Sequence, residues 1–323
     1  MADYRRTPAP EGYKPFYISH FGRHGSRWLT SESEYTRIQQ LIAKADSDDV
    51  LTPLGKQLKG QLDTVCANAD GMWGQLSPRG VAEHKGIAKR MYQSFPEVFQ
   101  DGSYIQSRST TVYRTILSMA AFDEALKEIN PSLDITRETG DRFQRYLSRF
   151  DNMDRNSRKI EHISDSLSNA NINSERFFRS LISDTSWIAA NVKKPNSIMS
   201  NFYRIASDME DVDLDIDLYR YFTPDELYAC YDYNNVRMFL FCGPSELNGY
   251  AAMKDEIPLL TNIIETADQV VSDGSQAATL RFGHDTNITP LELLMGLKDC
   301  GISTTIADLS KVSDSWQVSV ISP

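Results

Sequence analysis

Residues 14–27 read KPFYISHFGRHGSR, an aromatic and β-branched run that gives way to glycine, histidine and arginine. The first half is typical of a short β-strand that ends near His20, and the second half is typical of a polar turn. The same order of apolar strand, polar residues and helix occurs at 102–129 and 277–297. This repetition predicts an α/β domain built on a largely parallel or mixed sheet.

The later two segments put polar residues where their strands end. In the second, a strand precedes Arg108 and a long helix is predicted from about Thr110. In the third, a strand precedes His284 and a helix is predicted to begin near Ile288 or Thr289. Ligands bind beyond the carboxyl ends of the strands in such sheets. The sequence therefore predicts a polar site along one edge of the sheet.

The middle of the chain has a different composition. It is rich in charge, asparagine and serine and contains amphipathic stretches. We interpret residues 130–250 as a mostly helical cap inserted into an α/β core of residues 1–129 and 251–323. Two further helices are predicted to begin at residues 52–53 and 77–78. Thr-Pro and Ser-Pro at these positions each supply an N-cap and a first helical residue.

Composition excludes several classes of partner. The 323 residues carry a formal net charge of -10, which argues against nucleic acid. No apolar run reaches the roughly 20 residues that span a bilayer, and residues 1–16 lack the apolar segment of a secretory signal. The four cysteines form no CxxC pair, so neither a zinc site nor a redox motif is expected. Cys230 and Cys242 could pair in an oxidising compartment or remain buried thiols.

The first polar turn has the residues of a phosphate site. Arg23 and Arg27 flank His24, and guanidinium groups bind phosphate oxygens in pairs. A neutral imidazole between them could attack phosphorus and form a phosphohistidine. The alternative is a surface turn whose histidine has only a structural role.

The second polar turn could complete such a site. His284 and Asp285 stand ahead of a helix N-terminus, which favours anions. His284 could bind a phosphate oxygen and Asp285 could protonate a leaving alkoxide. In the alternative reading, Asp285 or Thr286 only caps the helix. Arg108, at the same edge, is a candidate third phosphate ligand.

Other basic residues have simpler interpretations. His20 could line the site, although its place on the strand favours a buried structural role, and His84 and His162 are expected at the surface. An arginine cluster follows, whose members form a solvated helix face or, for Arg142 and Arg145, reach toward a polyphosphorylated substrate. The cluster comprises Arg137, Arg142, Arg145 and Arg149.

GRHGSR at 22–27, followed much later by GHDTN at 283–287, resembles the histidine acid phosphatases, branch two of the histidine phosphatase superfamily. LSPRGVAEHKGIAKRMY at 76–92 is similar to the helix that follows the first motif in that family. SRST at 107–110 and the stretch at 86–99 are most similar to multiple inositol polyphosphate phosphatases, including bacterial ones. Many of those have His-Ala-Glu in place of His-Asp.

The resemblance implies a three-layer sandwich like that of phosphoglycerate mutase, with a helical cap. It implies a phosphomonoester hydrolase that acts on inositol polyphosphates such as phytate, uses no metal or cofactor, and is periplasmic or secreted. By this resemblance, His24 would be the nucleophile and Asp285 would be the proton donor. Phosphate is bound by Arg23, Arg27, Arg108, His284 and Thr286.

The family has proline at the position of Leu29, and further strands would be expected after SVISP, so the chain is either minimal or truncated at its C-terminus. Three other functions fit the residues less fully. They are a broad-specificity acid phosphatase, a phosphoryl mutase of the same superfamily, and a non-catalytic phosphate-binding module.

Overall fold

A computed structural model describes residues 9–148, 157–243, 245, 250–297, 309, 311 and 312. In this part of the chain, four parallel strands form one sheet: β1 (Ile18–Arg23), β2 (Tyr104–Ser109), β3 (Asp134–Glu138) and β4 (Ala278–Gly283). Their order across the sheet is β1-β4-β2-β3. Because the strands are parallel, their carboxyl ends share one edge, as predicted.

Helices make up most of the remaining described residues. In chain order they are α1 (Glu32–Ser47), α2 (Pro53–Ala69), α3 (Pro78–Ser94), α4 (Tyr113–Ile129), α5 (Asp141–Leu147), α6 (Ser157–Asn171), α7 (Glu175–Leu181), α8 (Thr185–Asn191), α9 (Pro195–Asp211), α10 (Pro224–Cys242), α11 (Ala251–Asp255), α12 (Ile257–Asp273) and α13 (Asp285–Leu294). The side chains of Thr52 and Ser77 cap α2 and α3, as their Thr-Pro and Ser-Pro pairs predict.

The sheet lies between two helical layers. On one face, Phe122 of α4 packs with Leu280 and Phe282 of β4 in a core that α3 completes. On the other face, residues of α5, α12 and α13 pack together with Phe21 of β1. All six residues of β4 are buried, as expected for a parallel strand covered on both sides. This arrangement confirms the predicted three-layer sandwich.

A second body of helices forms the cap, and its boundaries differ from those predicted. β3 lies inside the predicted cap range 130–250 but pairs with β2 in the sheet. Conversely, α1 and α2 lie in the predicted core range but share an apolar core with α7, α9 and α10. The apolar faces of α1 and α2 are buried against the cap helices, so these two helices belong with the cap in packing.

The structure bears on two further predictions, one about a disulfide and one about membrane-spanning helices. Cys230 and Cys242 are both buried and are not joined by a disulfide, while Cys300 lies outside the described residues. Within the described ranges, every helix is too short or too polar to cross a bilayer.

The loop after β1 touches the first turn of α3 backbone to backbone. A Cβ on Gly80 would lie 2.3 Å from the carbonyl oxygen of Ser26, and a Cβ on Gly25 would lie 2.6 Å from the carbonyl oxygen of Gly80. The N–H and hydroxyl of Ser77 both donate to the Ser26 carbonyl, at 2.9 and 3.0 Å. Glycine at both positions therefore sets how closely the loop approaches α3.

This contact predicts opposite effects for two glycine substitutions in helices. Gly80→Ala should lower the free energy of unfolding by about 1–3 kcal/mol, because the new methyl group meets backbone that cannot rotate away. Gly60→Ala is the matched control in α2, where a Cβ would meet no atom within 4 Å. It should raise the free energy of unfolding by about 0.5–1 kcal/mol, through helix propensity alone. Urea denaturation measures both, and an unchanged stability for Gly80→Ala would contradict the close approach.

Candidate active site

The two histidine motifs meet at the carboxyl edge of the sheet. β1 and β4 are neighbours, and the backbone N–H of His24 donates to the carbonyl oxygen of Gly283 at 3.1 Å. The imidazole rings of His24 and His284 are 5.5 Å apart between centroids, with an interplanar angle of 72°. Residues distant in the sequence are therefore brought side by side by the pairing of two strands.

His24 is held as a neutral imidazole. Its side chain is buried, with 4% exposure, and Nδ1 lies 2.8 Å from the carbonyl oxygen of Gly25. Nδ1 must carry the proton to make this hydrogen bond, which leaves the lone pair on Nε2. Burial, and then the positive charge of Arg23, hold the pKa of His24 far below its usual value. The ring therefore stays uncharged in acidic solution, as a nucleophile must.

Three arginines surround this imidazole. Arg23, Arg27 and Arg114 all act electrostatically on His24. Burial, and then the charge of Arg23, lower the pKa of Arg27, while burial and then Arg27 lower the pKa of Arg114 to about 10. Among the described residues, the buried Nε atoms of Arg27 and Arg114 have no hydrogen-bond partner. Clustered guanidinium groups with unused donors form a binding site for a multivalent anion.

Arg108, the predicted third phosphate ligand, lies elsewhere. Its Nε is 2.9 Å from a carboxylate oxygen of Glu138, and another nitrogen donates to the Tyr146 hydroxyl at 3.0 Å. The guanidinium also lies over the ring of Phe143, 4.3 Å from its centroid. Side chains alternate along β2, so Ser107 faces α4 whereas Arg108 points to the opposite side of the sheet.

Sequence reasoning missed Arg114, which stands beside Arg23 and Arg27 where Arg108 was expected. Arg114 is the second residue of α4, which begins at Tyr113 rather than near Thr110. The first turn of a helix that follows a strand end faces the same edge of the sheet. That position is the sequence signal that could have identified Arg114.

His284 and Asp285 follow β4 and lie beside His24 and Arg23. His284 is the N-cap residue of α13, which begins at Asp285 and not near Ile288 or Thr289. Burial, and then the charge of Arg114, lower the pKa of His284 to about 4. The cap position thus belongs to His284, and neither Asp285 nor Thr286 occupies it.

Asp285 faces the arginines. One of its carboxylate oxygens is 3.2 Å from Nε of Arg23, and the other accepts a hydrogen bond from the backbone N–H of Thr286 at 2.8 Å. About a quarter of the Asp285 side chain is exposed. A carboxyl group that is fixed in orientation and open to solvent can exchange protons with a bound molecule.

Leu29 replaces the proline of the family motif, and the structure shows what holds the loop instead. Its backbone N–H donates to the hydroxyl of Tyr35 at 2.7 Å, and that hydroxyl donates to Asp208 of α9. Proline could not make the first of these bonds. Burial raises the pKa of Asp208 to about 7. The loop is therefore tied to a cap helix through hydrogen bonds.

The secondary candidates are spread over the molecule. His20 packs against Phe122 and Phe282, with centroid distances of 5.6 and 5.7 Å, and lines a cavity of about 310 Å³ that also touches His24. Arg142 is exposed and pairs with Glu138 at 2.8 Å, beside Arg108.

Four other residues complete this group. Arg145 is exposed on α5, Arg149 lies outside the described residues, and His162 is exposed as expected. The surface prediction for His84 is wrong, because α3 turns that residue onto the sheet and leaves it 3% exposed.

The described residues contain no group of three His, Cys, Asp or Glu side chains placed to hold a metal ion.

Neither protein-family models nor curated proteins match the chain. Solved structures do. A multiple inositol polyphosphate phosphatase from Bifidobacterium longum in complex with phosphate matches with a TM-score of 0.81 at 18% identity, over 98% of this chain and 82% of that one.

The chain shares its fold with this enzyme. The Bifidobacterium enzyme in complex with inositol hexasulfate matches with a TM-score of 0.77 at 16% identity, over 99% of this chain and 83% of that chain. A phytase from D. castellii matches with a TM-score of 0.63 at 12% identity, over 90% of this chain and 64% of its own. The helical cap is part of this shared fold.

The placement of the arginines predicts that Arg114 binds phosphate and Arg108 does not. Arg114→Ala should weaken binding of inorganic phosphate about 10- to 100-fold, because a charged hydrogen-bond donor is lost from a buried site. Arg108→Ala, the matched control, should change the dissociation constant less than about threefold, since its charge is already paired. Isothermal titration calorimetry measures both constants. Equal losses for the two variants would contradict this assignment.

Proposed function

We propose that this protein is a phosphomonoester hydrolase that works through a phosphohistidine at His24. The observation that carries the proposal is the neutral, buried imidazole of His24 among three arginines, with its Nδ1 proton engaged by Gly25. Such an arrangement binds a phosphate dianion and presents the Nε2 lone pair to its phosphorus atom.

In the first step, the phosphate group of the ester is bound by Arg23, Arg27, Arg114 and His284. Nε2 of His24 attacks phosphorus, so a P–N bond forms while the P–O bond to the alcohol breaks. Asp285 gives its proton to the departing oxygen, which leaves as a neutral alcohol. The guanidinium groups neutralise the phosphoryl oxygens and so remove the charge repulsion that would oppose attack.

In the second step, water attacks the phosphorus of phosphohistidine from the side that the alcohol has left. Asp285, now a carboxylate, accepts a proton from that water. The P–N bond breaks, its electrons return to Nε2, and inorganic phosphate departs. One carboxyl group thus acts as acid and then as base, and the site is restored without any metal-dependent step.

We further propose inositol polyphosphates as the substrate class. The shared fold with the Bifidobacterium and D. castellii enzymes supports this substrate class, as does the motif resemblance. A phosphoryl mutase would also form the phosphohistidine but would pass the group to a second alcohol. A location outside the cytosol is proposed on the resemblance alone. Phosphate release from phytate, sugar phosphates and nucleotides, with and without acceptor alcohols, separates hydrolase from mutase and identifies the preferred ester.

His24→Ala should abolish hydrolysis, with a loss of at least about 10³-fold in kcat, because no other group can accept the phosphoryl. Reactions with ³²P-labelled substrate that are quenched in alkali should trap an acid-labile phosphoprotein in the parent and none in the variant. His162→Ala, an exposed histidine of the cap, is the control and should behave as the parent does. A phosphoprotein that persists in His24→Ala would refute the nucleophile assignment.

Asp285→Asn should affect esters according to their leaving group. An inositol alkoxide needs a proton to leave, so the variant should lose about 10²- to 10⁴-fold on phytate, the usual worth of a general acid. p-Nitrophenolate leaves without help, so p-nitrophenyl phosphate should lose far less. Single-turnover rates of leaving-group release from the two substrates measure the difference, because the second step, in which Asp285 acts as a base, is the same for both. Equal losses would mean that Asp285 only orients Arg23.

Protonation of Asp285 also predicts an optimum below neutral pH. The acid form of its carboxyl group is required in the first step, and acidity leaves His24 uncharged because its pKa is so strongly lowered. Activity on phytate should therefore fall as the pH rises toward neutrality. A pH–rate profile of the parent checks this, and an alkaline optimum would contradict the acid role.

A further inference from the structure

Ser26, which stands between Gly25 and Arg27 in the RHGSR turn, lies between two carboxyl groups. Its backbone N–H donates to Glu83 of α3 at 2.8 Å, and its Oγ is 2.7 Å from the other oxygen of Glu83. The same Oγ is 3.1 Å from Oδ1 of Asp211, at the C-terminal end of α9. Ser26 is 8% exposed. The turn that carries His24 is thus joined to the core and to the cap through one hydroxyl.

The donor and acceptor roles at the Ser26 hydroxyl follow from the number of hydrogens that it carries. A serine hydroxyl has one hydrogen to donate. The shorter contact assigns that hydrogen to Glu83, whose second oxygen is already engaged by the Ser26 N–H. The contact between Oγ and Asp211 then joins two oxygens, and it becomes a hydrogen bond only when Asp211 carries a proton and donates it.

We propose that protonated Asp211 clamps the catalytic turn to the cap helix and that ionisation of Asp211 releases it. Asp211 is a positioning residue, because it acts through Ser26 and touches neither His24 nor phosphate. The proposal rests on the phosphatase function proposed above for its activity readout. The clamp holds the segment between Arg23 and Arg27, so its release loosens two of the phosphate ligands.

The groups around Asp211 favour its protonated form. Burial raises the pKa of Asp211, and the negative charge of Glu83 acts in the same direction. Arg23 and Arg27 oppose them, as does Ser26 whenever its hydroxyl donates to Asp211 instead of Glu83. Two further neighbours interact with Asp211 electrostatically, namely Asp208 on its own helix and Tyr219 on the following turn.

Glu210 and Asp213 flank Asp211 in the sequence and share one cation. Arg79 of α3 binds them at 3.0 and 2.9 Å, so the three side chains together carry one net negative charge, which also favours protonated Asp211. A group whose pKa is raised in the folded state is still protonated in acid and loses its proton as the pH rises. The clamp is therefore closed in acidic solution and opens toward neutrality.

Asp211→Asn distinguishes the effect of the clamp from that of general-acid catalysis by Asp285. The asparagine amide can donate to Ser26 Oγ at every pH, so the clamp should stay closed. p-Nitrophenyl phosphate is the substrate, because its leaving group does not need Asp285. With Asp211→Asn, the decline of kcat with rising pH should move upward by at least about one pH unit relative to the parent. Asp211→Ala, which cannot donate, should have a kcat about tenfold below that of the parent in acidic solution, and the two values should converge toward neutrality, where the clamp of the parent is open as well.

Asp213→Asn is the matched control. It removes a charge two residues away that binds Arg79 and makes no contact with Ser26, and its pH profile should overlie that of the parent. In a Ser26→Ala background, Asp211→Asn should no longer shift the profile, because the hydroxyl that it serves is gone. The clamp is overturned if Asp211→Asn follows the parent, if it is as slow in acidic solution as Asp211→Ala, or if its shift survives in Ser26→Ala.

A second measurement does not depend on catalysis. Over the pH range in which Asp211 is still protonated in the folded state but already ionised in the unfolded one, unfolding releases its proton, because folding raises its pKa. The stability of the parent relative to Asp211→Asn should therefore fall as the pH rises through this range. Absence of phosphatase activity in the parent would refute the proposed function alone. Parallel stability curves for parent and Asp211→Asn would refute the clamp alone.

Discussion

The hydrogen bond between Nδ1 of His24 and the carbonyl oxygen of Gly25 is the constraint on which the site depends. It leaves the lone pair on Nε2 and keeps the ring uncharged beside three guanidinium groups, where a second proton would add a fourth positive charge. Gly25 itself lies against the backbone of α3, where a Cβ would come within 2.6 Å of the Gly80 carbonyl oxygen. The chemistry of one imidazole is thereby linked to the packing of a helix against the sheet.

The cap takes part in this constraint and does more than cover the site. Trp28 and Leu29, which follow the catalytic turn, are buried in the core of the cap helices. A proline in place of Leu29 would stiffen the loop by itself but would lose the bond to Tyr35 and the packing of the leucine side chain. In this chain the loop is positioned from outside, by Tyr35, Asp208 and Asp211, so its geometry depends on how the cap sits.

Local sequence was enough to predict the α/β sheet and the edge at which five of the candidate site residues meet. Arg23, His24 and Arg27 follow one strand and His284 and Asp285 follow its neighbour, so pairing of β1 with β4 brings them together. Local sequence does not show which of Arg108 and Arg114 faces the site. Which of them faces the site depends on side-chain alternation along β2 and on the direction in which α4 leaves it, and both are set by packing. Likewise, β3 and the helices α1 and α2 take partners that no local pattern specifies.

The stereochemical course at phosphorus tests the phosphohistidine most directly. Each in-line displacement inverts the configuration of the transferred group, so attack by His24 followed by attack on the phosphohistidine inverts it twice. A phosphate ester made chiral with ¹⁶O, ¹⁷O and ¹⁸O, with an added alcohol as final acceptor, reports the outcome by ³¹P NMR. The account predicts net retention of configuration. Net inversion would mean that the acceptor attacks the bound ester in a single step and that His24 never carries the phosphoryl group.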